Sequence, residues 1–593
     1  RGLNAPIVAT PFGFNYWVPT TDGSSDNTPY AYSGAEARFK GIKISHVASN
    51  WIGESGTYYF SADSTTTDYN AVRNAIQNRG SVFSHENEIA KPYYYGVTLN
   101  ADDATAPNVK VEVTPTEHAA VLRFTFPAGS ETCNIMFDPV NARSSSIIEF
   151  NDAKTEFHTT SENKTNGQTT MHIVGQFSKT PSAWHSAGEG SMGMFQFTPN
   201  ESGETVIEMK VATSFISKDQ AQRALSIEIA ANEGFDAVRD KALKIWNDTL
   251  GSIEVEGGSY HERVTFYSNL YRAFVYPTSL AENTGTNEQP HWKHYSPYTK
   301  NVEDGQFVYN NGFWDTFRTT WPLYSIVAPE KATQLLNGLV QHYKEQGWIP
   351  RWIAPAGTDC MVGTNSDNIF ADALNRGVTF DVEEAYASAL RNGSVYSVNN
   401  GKNSYSGRAH MDGMVFLGYV PQDGVTGGWG GDEFSFSWSM EGSGRGGKVG
   451  VLIAEELVGD LPGEEDPHVG LLMDGLAHQI HAHAGPDGGD VPGAQGGHHF
   501  GQSGYHVVPG DGHLRVVRPD ELRRLPSVLQ IDGVGVHADS EGADRFSKQP
   551  GGDGTHQAGV QSAREKKAQG GIGVQPLVHR GDKLVMDVLA DGV

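Results

Sequence analysis

Cysteine and long apolar runs are both scarce in this chain. Only Cys133 and Cys360 occur among its 593 residues, which excludes a scaffold held together by several disulfides. The two cysteines can form a single bridge, but the sequence favours two free thiols. Because no run of about 18 apolar residues is present, we expect no membrane-spanning helix.

Basic residues are also in the minority. The chain carries 44 Lys and Arg against 70 Asp and Glu, which gives a net charge of −26. Such a surface repels the phosphates of nucleic acids, so we expect no nucleic-acid partner. The chain begins at Arg1 without a basic and apolar leader, as would a processed secreted protein or a fragment of a longer one.

Strand patterns dominate residues 1–232. Residues 109–113, 120–126 and 206–211 alternate apolar and polar side chains with the period of two that a half-buried strand requires. Turn residues separate these runs. Many short strands at close spacing predict a β-sandwich, and the length of the chain predicts at least one further domain.

Helical spacing replaces this alternation near Gly234. Apolar side chains recur at helical intervals in residues 235–246 and 261–274, and again in residues 331–346 and 383–391. Loops rich in glycine and aromatic residues lie between the later segments. We therefore expect a helical domain whose long loops on one face carry the function.

The composition changes again after Glu441. Residues 442–593 hold 31 of the 69 Gly and 11 of the 22 His, with no Trp, Asn or Cys. With so few aromatic side chains to bury, the segment can hardly offset chain entropy, so we predict no clear fold. We hypothesise a wrong reading frame or a joined fragment, because GC-rich codons give this composition. Its histidines match no zinc-binding spacing and are attributed to composition.

The most suggestive chemistry lies in residues 311–318, Asn-Gly-Phe-Trp-Asp-Thr-Phe-Arg. Trp314 stands directly before Asp315. Sugar sites combine an aromatic face against the apolar face of the ring with a carboxylate that accepts hydrogen bonds from hydroxyls. The alternative is a core tryptophan beside an aspartate that caps a helix. The residues alone favour neither.

Three further features have competing interpretations. Residues 347–352 place two tryptophans in a loop, as a binding surface or as loop packing. Asp381 is predicted to cap a helix. Glu441 ends an aromatic stretch, residues 433–441, whose apolar groups would raise the pKa of a carboxylic acid as a glycosidase's general acid requires. The alternative for Glu441 is a solvated loop position.

These elements together resemble glycoside hydrolase family 92, the calcium-dependent exo-acting α-mannosidases. The resemblance runs over about residues 1–441 and rests on nine elements in the family's order, of which residues 313–318 are the most specific. The elements are residues 11–17, 44–46 with 51–53, 83–88 with 92–94, 253–257, 266–272, 313–318, 360–363, 371–373 and 417–421.

The resemblance implies a multidomain fold of β and α parts. Residues 1–232 would form an N-terminal β-sandwich, residues 233–265 linker helices, and residues 266–441 an incomplete (α/α)6 toroid, with the active site where sandwich and toroid meet. Residues 442–593 do not resemble the family. This division agrees with the switch from strand to helix patterns near Gly234.

The resemblance also implies an activity. The family releases terminal α-linked mannose with inversion, here expected from α-1,2-linked mannosides or N-glycan oligosaccharides. Ca²⁺ would be the cofactor, and a secreted, periplasmic or cell-surface location is expected. A carboxylic acid would protonate the leaving oxygen while a carboxylate base activates water across the ring.

Site residues carry over by position. Glu441 lies where the family has its general acid, and Trp314 and Asp315 lie where it contacts the terminal mannose. His46 and Trp51 lie in N-terminal loops that approach the same cleft.

The elements that supply the family's general base and calcium ligands have no counterpart in residues 442–593, so the metal ligands are unassigned and we expect severe loss of activity. Two alternatives are a noncatalytic carbohydrate-binding protein and a structural cell-surface protein.

Overall fold

The computed structural model of this chain describes most of its first two thirds. The described residues are 5–21, 32, 38–46, 56–78, 80–100, 108–138, 144–145, 148–163, 169–188, 192–358, 361, 363–395 and 407, with the backbone of residues 506–510 and 513–517.

The N-terminal part is built from antiparallel strands, together with one helix, α1 (Tyr69–Asn78). Its strands are β1 (Tyr16–Thr21), β2 (Arg38–Ser45), β3 (Tyr58–Asp63), β4 (Ser81–Lys91), β5 (Tyr94–Leu99), β6 (Lys110–Pro115), β7 (Ala119–Phe126), β8 (Cys133–Asp138), β9 (Ser144–Ser145), β10 (Glu149–Phe150), β11 (Glu156–Asn163), β12 (Thr169–Phe177), β13 (Ala183–Ser186), β14 (Gly193–Phe197) and β15 (Thr205–Ser214).

Hydrogen bonds join these strands in the order β10-β11-β12-β15-β7-β6-β5-β4-β2-β3-β8-β14-β13, with β1 on β2 and β9 on β11. The two ends of this order face each other. The ring of Phe150 on β10 lies 5.5 Å from that of Trp184 on β13, and Phe157 on β11 lies 5.1 Å from Phe195 on β14. The strands therefore form two leaves around a shared core, which confirms the predicted mostly-β domain.

Alternation explains why these segments pair as strands. On β7, Leu122, Phe124 and Phe126 are fully buried, whereas Arg123 and Thr125 between them are half-buried. The buried set packs with apolar side chains of both leaves, including Ile135. Burying one large aliphatic or aromatic side chain contributes roughly 1.5–3 kcal/mol, so the inner faces hold the two leaves together.

Helices take over after the last strand of the sandwich. They are α2 (Lys218–Glu228), α3 (Phe235–Leu250) and α4 (Tyr260–Ala273), with β16 (Ile253–Val255) between the last two. Ser259 begins α4 with a capping box, because its hydroxyl accepts from the Glu262 amide while the Glu262 carboxylate accepts from the Ser259 amide. The two helices predicted in residues 235–246 and 261–274 are confirmed. Helix α2 lies ahead of the predicted boundary at residue 232.

The described region after α4 mixes short strands with longer helices. The strands are β17 (Thr278–Ser279), β18 (Glu282–Asn283), β19 (Trp292–Tyr295), β20 (Val302–Asp304), β21 (Val308–Tyr309), β22 (Asn311–Gly312) and β23 (Trp352–Ile353). The helices are α5 (Phe313–Thr316), α6 (Thr320–Val327), α7 (Pro329–Gln346), α8 (Ser366–Asn375) and α9 (Val382–Ser394).

Helices α7 and α9 confirm the patterns at residues 331–346 and 383–391. Asp381 caps α9 as predicted, since its side chain accepts from the Glu384 amide. One apolar core runs from Trp246 of α3 through Leu339 of α7. The toroid remains a prediction, and no helix in the described ranges is long and apolar enough to cross a membrane.

Two strands lie in the segment for which no clear fold was predicted. They are β24 (His506–Gly510) and β25 (His513–Val517), which pair with each other, and β25 also pairs in parallel with β16. In sequence, Asp511-Gly512 separates two valine-containing runs, and Asp-Gly between such runs is a hairpin signal. The rest of residues 442–593 lies outside the described residues.

Candidate functional site

The Trp314–Asp315 pair sits on a short, well-anchored turn. Strand β22 pairs with β23, so the chain enters α5 beside Trp352. The Thr316 hydroxyl donates to the Gly312 carbonyl (2.9 Å) and accepts from the indole N–H of Trp321 (3.2 Å). These bonds fold residues 312–316 back on themselves and fix the direction in which the helix projects its side chains.

The capping alternative for Asp315 is wrong. The N-cap of α5 is Gly312, and Asp315 is the third residue of the helix. Trp314 is only half-buried, in contrast to Phe313, which anchors the turn in the core. Asp315 and the indole of Trp314 thus lie next to each other at the start of a helix, and the carboxylate does not cap that helix.

The carboxyl of Asp315 lies against the backbone of Gly312. A Cβ at residue 312 would meet both the Asp315 Oδ2 atom and the Trp352 Nε1 atom at 2.5 Å. Asp315 is exposed by surface area, yet the protein crowded around its carboxyl raises its pKa above the usual range, and the positive charge of Arg318 opposes this. Because Gly312 has no side chain, the carboxylate of Asp315 and the indole N–H of Trp352 can both approach its Cα.

The turn of residues 310–315 contains polar atoms that have no hydrogen-bond partner among the described residues. Asn310 adopts a left-handed backbone (φ 59°), a conformation that asparagine tolerates better than most residues. Among the described residues, Asn310 Oδ1, Asn311 Nδ2 and Trp314 Nε1 are buried and make no hydrogen bond. A buried polar atom without a partner costs about 1–3 kcal/mol, so three within five residues point to a bound ligand or water.

His46 lies directly behind the turn. Its backbone carbonyl accepts from Asn310 Nδ2 at 3.3 Å. Its buried ring donates from Nδ1 to the Gly56 carbonyl (2.7 Å), and its Nε2 atom lies within hydrogen-bond distance of Asn15 Oδ1 (2.9 Å). A sugar hydroxyl would have to break one of these bonds to reach the ring, so the geometry favours support of the turn through Asn310.

Two predicted site residues, Trp51 and Glu441, lie outside the described residues. The predicted calcium site would need several oxygen ligands close together. Within the described ranges, no three His, Cys, Asp or Glu side chains come together to hold a metal ion, and Ca²⁺ takes six to eight oxygen ligands. The described residues alone do not fit a calcium site.

Asn310 was not singled out from the sequence, and Gly312 was included in residues 311–318 without a role of its own. The available signal was the doubled asparagine followed by glycine, since Asn and Gly both favour unusual backbone conformations. Trp352 was noted only as a member of an aromatic loop. Its approach to Asp315 arises from the pairing of β22 with β23, which no local pattern shows.

Known protein families explain both parts of this fold. The family model described as the glycosyl hydrolase family 92 N-terminal domain matches residues 1–219, and that of the family 92 catalytic domain matches residues 220–445. The chain belongs to glycoside hydrolase family 92. Both models together stop four residues beyond Glu441, close to where the composition changes.

This family 92 chain is similar to a curated protein and to several solved structures. An uncharacterized secreted glycosidase of Arthroderma benhamiae is 24% identical over 471 residues, which cover 70% of this chain and 53% of the relative. A family 92 inverting mannosidase of Bacteroides thetaiotaomicron is 25% identical with a TM-score of 0.68, covering 81% of this chain and 61% of that one.

A second family 92 α-mannosidase of Bacteroides thetaiotaomicron, solved with mannoimidazole, is 21% identical with a TM-score of 0.64 and the same coverage, so it bears on the fold alone. This chain thus spans between about half and three fifths of the length of these relatives.

Proposed function

We propose that this chain recognises a terminal α-linked mannose residue at the turn formed by residues 310–315. The observation that carries the proposal is the exposed Asp315 carboxylate beside a half-buried indole, among polar atoms that lack partners in the described residues. An aromatic face covers the apolar side of a sugar ring, and carboxylate and amide groups bond its hydroxyls. Membership of family 92 and the 25% identical relative that is a family 92 mannosidase support mannose as that sugar.

The proposed reaction is hydrolysis of the mannoside with inversion, which is supported by the solved relative that is an inverting mannosidase. Glu441 is proposed to protonate the leaving oxygen while a carboxylate base activates water on the opposite face of the ring. Trp314 and Asp315 would hold the sugar, with Trp51 nearby. His46 would support the site through Asn310 rather than touch the substrate.

The proposed substrates are α-1,2-linked mannosides, including N-glycan oligosaccharides, outside the cell or in a periplasm. A secreted relative supports this location. Calcium dependence is part of the proposal, with ligands from beyond the described side chains. Comparing initial rates on mannobioses of different linkage tests the specificity, and preference for another linkage would refute α-1,2.

Carbohydrate binding without turnover is the second candidate. It is favoured by the end of the family match at residue 445 and by the composition beyond it. An inverting glycosidase requires a second carboxylate about 6.5–9.5 Å from the acid, and residues 442–593 offer no element that resembles the family's. We therefore expect binding of methyl α-mannoside with severely reduced hydrolysis.

The deciding experiment measures both properties on the full chain. Methyl α-mannoside binding is followed by calorimetry, and aryl α-mannoside hydrolysis is followed with added Ca²⁺ or with a chelator. Glu433→Gln, in the same stretch as Glu441, serves as the matched control for Glu441→Gln. Rapid calcium-dependent release that only Glu441→Gln abolishes would refute the expected loss of turnover. Absence of any mannoside binding would refute the recognition site.

A further inference from the structure

Arg318 interacts with Trp314 of α5 and with Phe317, the residue that ends this helix. Its Nη1 atom donates to the Trp314 carbonyl at 2.7 Å. Its guanidinium carbon lies over the Trp314 ring, 4.7 Å from the centroid, and over the Phe317 ring at 4.3 Å. One exposed side chain therefore bonds the backbone of the proposed sugar platform and covers one face of its indole.

These contacts suit arginine in particular. Helix α5 has only four residues, so its last carbonyls need partners from outside the helix. A planar guanidinium can donate to a carbonyl while stacking on aromatic rings, which a lysine ammonium does less well. Since Arg318 occupies one face of Trp314, a sugar ring can stack only on the other face.

Arg318 also acts on the neighbouring carboxylate. Among charged groups in the described part of the chain, Arg318 is the one whose field lowers the pKa of Asp315, against the burial that raises it. A sugar hydroxyl donates best to the ionised carboxylate. The same side chain thus supports both halves of the aromatic–carboxylate pair.

We propose that Arg318 is a positioning residue for mannoside recognition: it fixes the indole of Trp314 and supplies the positive charge beside Asp315 without touching the sugar. This inference rests on the proposed function. Removing Arg318 removes its cation–π contacts with the indole. Together with the lost charge-assisted hydrogen bond, we expect about a tenfold loss of affinity on its removal.

The test titrates methyl α-mannoside into the full chain and its Arg318→Gln and Arg318→Lys variants, at about pH 7 and about pH 5. We expect Arg318→Gln to lose about tenfold in affinity at neutral pH and more at the lower pH, because Asp315 then protonates at a higher pH. Arg318→Lys should keep the wild-type pH profile at reduced affinity. Arg376→Gln removes an exposed arginine that is paired with Asp372 on α8, and it should change neither the mannoside affinity nor its pH profile.

The outcomes separate this inference from the proposed function. If wild type binds and Arg318→Gln matches it in affinity and pH profile, Arg318 has no positioning role. An equal loss at both pH values with a lowered unfolding midpoint would mean that Arg318 only stabilises the fold, and would also overturn the inference. In an Asp315→Asn background, the extra loss at low pH should disappear. A wild-type chain that binds no mannoside would end both proposals.

Discussion

Two polar clusters of this chain lie close together yet differ in how their atoms are satisfied. The junction cluster (Asn15, His46, His118, Glu228 and Glu282) lies where the sandwich meets α2 and β18, and its buried charged groups all have hydrogen-bond partners. The turn of residues 310–315 holds buried polar atoms without partners among the described residues. A hydrogen bond from Asn310 to the His46 carbonyl joins the two clusters.

His118 shows how the junction is held. It donates from Nδ1 to Glu228 (2.6 Å) and from Nε2 to the Ala281 carbonyl (3.0 Å), so both ring nitrogens face acceptors and the ring carries a proton on each. Burial alone would lower the pKa of His118, but the Glu228 carboxylate outweighs it and raises the pKa to about 10. The junction therefore contains an ion pair between the buried His118 and the partly buried Glu228, across the boundary of the sandwich.

Glu282 is the second buried acid of the junction. Its carboxylate accepts from the Ser214 hydroxyl and from the Phe215 amide at 2.9 Å. Burial raises its pKa to about 7, although the nearby charge of His118 and these hydrogen bonds oppose the shift. The comparison teaches that the charged groups of the junction find their partners within the protein, whereas three neighbouring atoms of the turn leave hydrogen bonds that a ligand could complete.

Breaking the junction should give the largest effect. Glu228→Gln leaves the buried charge of His118 without its counterion, and removing one partner of such a pair costs about 3–5 kcal/mol. We expect the free energy of unfolding, measured by urea denaturation, to fall by about this amount while mannoside affinity stays within about twofold. Asp248→Asn, at an exposed pair with Lys244, is the control and should cost about 1 kcal/mol at most.

An equal loss of stability in both variants would show that the His118–Glu228 pair contributes no more to the free energy of unfolding than an exposed ion pair does. A large loss of sugar affinity in Glu228→Gln would show that the two clusters are not separable.

The pH dependence of stability should give the next largest effect. Glu282 binds a proton more tightly in the folded state, since its pKa rises from 4.5 to about 7. The stability from this group is fully present below about pH 4.5 and is lost as the pH rises through about 7. Glu282→Gln cannot ionise, so between about pH 5 and pH 8 its free energy of unfolding should gain about 2–3 kcal/mol relative to wild type.

Urea unfolding of both proteins across this pH range gives the difference directly. Taking the difference also removes the contributions of titrating groups that do not interact with Glu282. Parallel pH profiles for the two proteins would mean that Glu282 does not titrate in this range.

The sequence predicted much of the fold but only part of the contrast between the clusters. Period-two and helical patterns located β7, β15, α3 and α7, because burial on one face imposes those periods. Residues 313–318 were recognised through family resemblance, since an indole beside a carboxylate is equally compatible with a helix cap.

The contacts that could not be predicted from the sequence join segments that are far apart in the chain. His118 and Glu228 are 110 residues apart, and His46 reaches Asn310 across 264 residues. No local pattern encodes such pairings. His46 in particular resembled a loop residue near the sugar, whereas the structure buries its ring among Asn15, Gly56 and aromatic side chains.

Altering the site should leave stability intact and reduce sugar affinity. Asp315→Asn keeps the shape of the side chain but removes its charge, and hydrogen bonds to charged groups are worth about 1.5–3 kcal/mol. We expect about a 30-fold loss of methyl α-mannoside affinity by calorimetry, equivalent to about 2 kcal/mol. The control Asp304→Asn, at an exposed carboxylate of β20, should bind as wild type does.

Unchanged affinity in Asp315→Asn would remove the carboxylate from the proposed site. A matching loss in Asp304→Asn would indicate a general effect of net charge instead.

The smallest effect tests the geometry of the site most directly. Gly312 has an ordinary extended backbone, so alanine there brings no backbone strain, but its Cβ would lie 2.5 Å from both Asp315 Oδ2 and Trp352 Nε1. One of the two groups must move away. We expect Gly312→Ala to lose about five- to tenfold in mannoside affinity, equivalent to about 1 kcal/mol.

Gly393→Ala is the matched control, because a Cβ on that residue of α9 meets nothing within 4 Å. Alanine is the better helix former there by up to about 1 kcal/mol, so the control should unfold at a slightly higher temperature and bind as wild type does. If Gly312→Ala also binds as wild type does, the carboxylate and the indole N–H need not approach each other for recognition. The unpartnered atoms around Asn310 would then mark a hydration site rather than a sugar site.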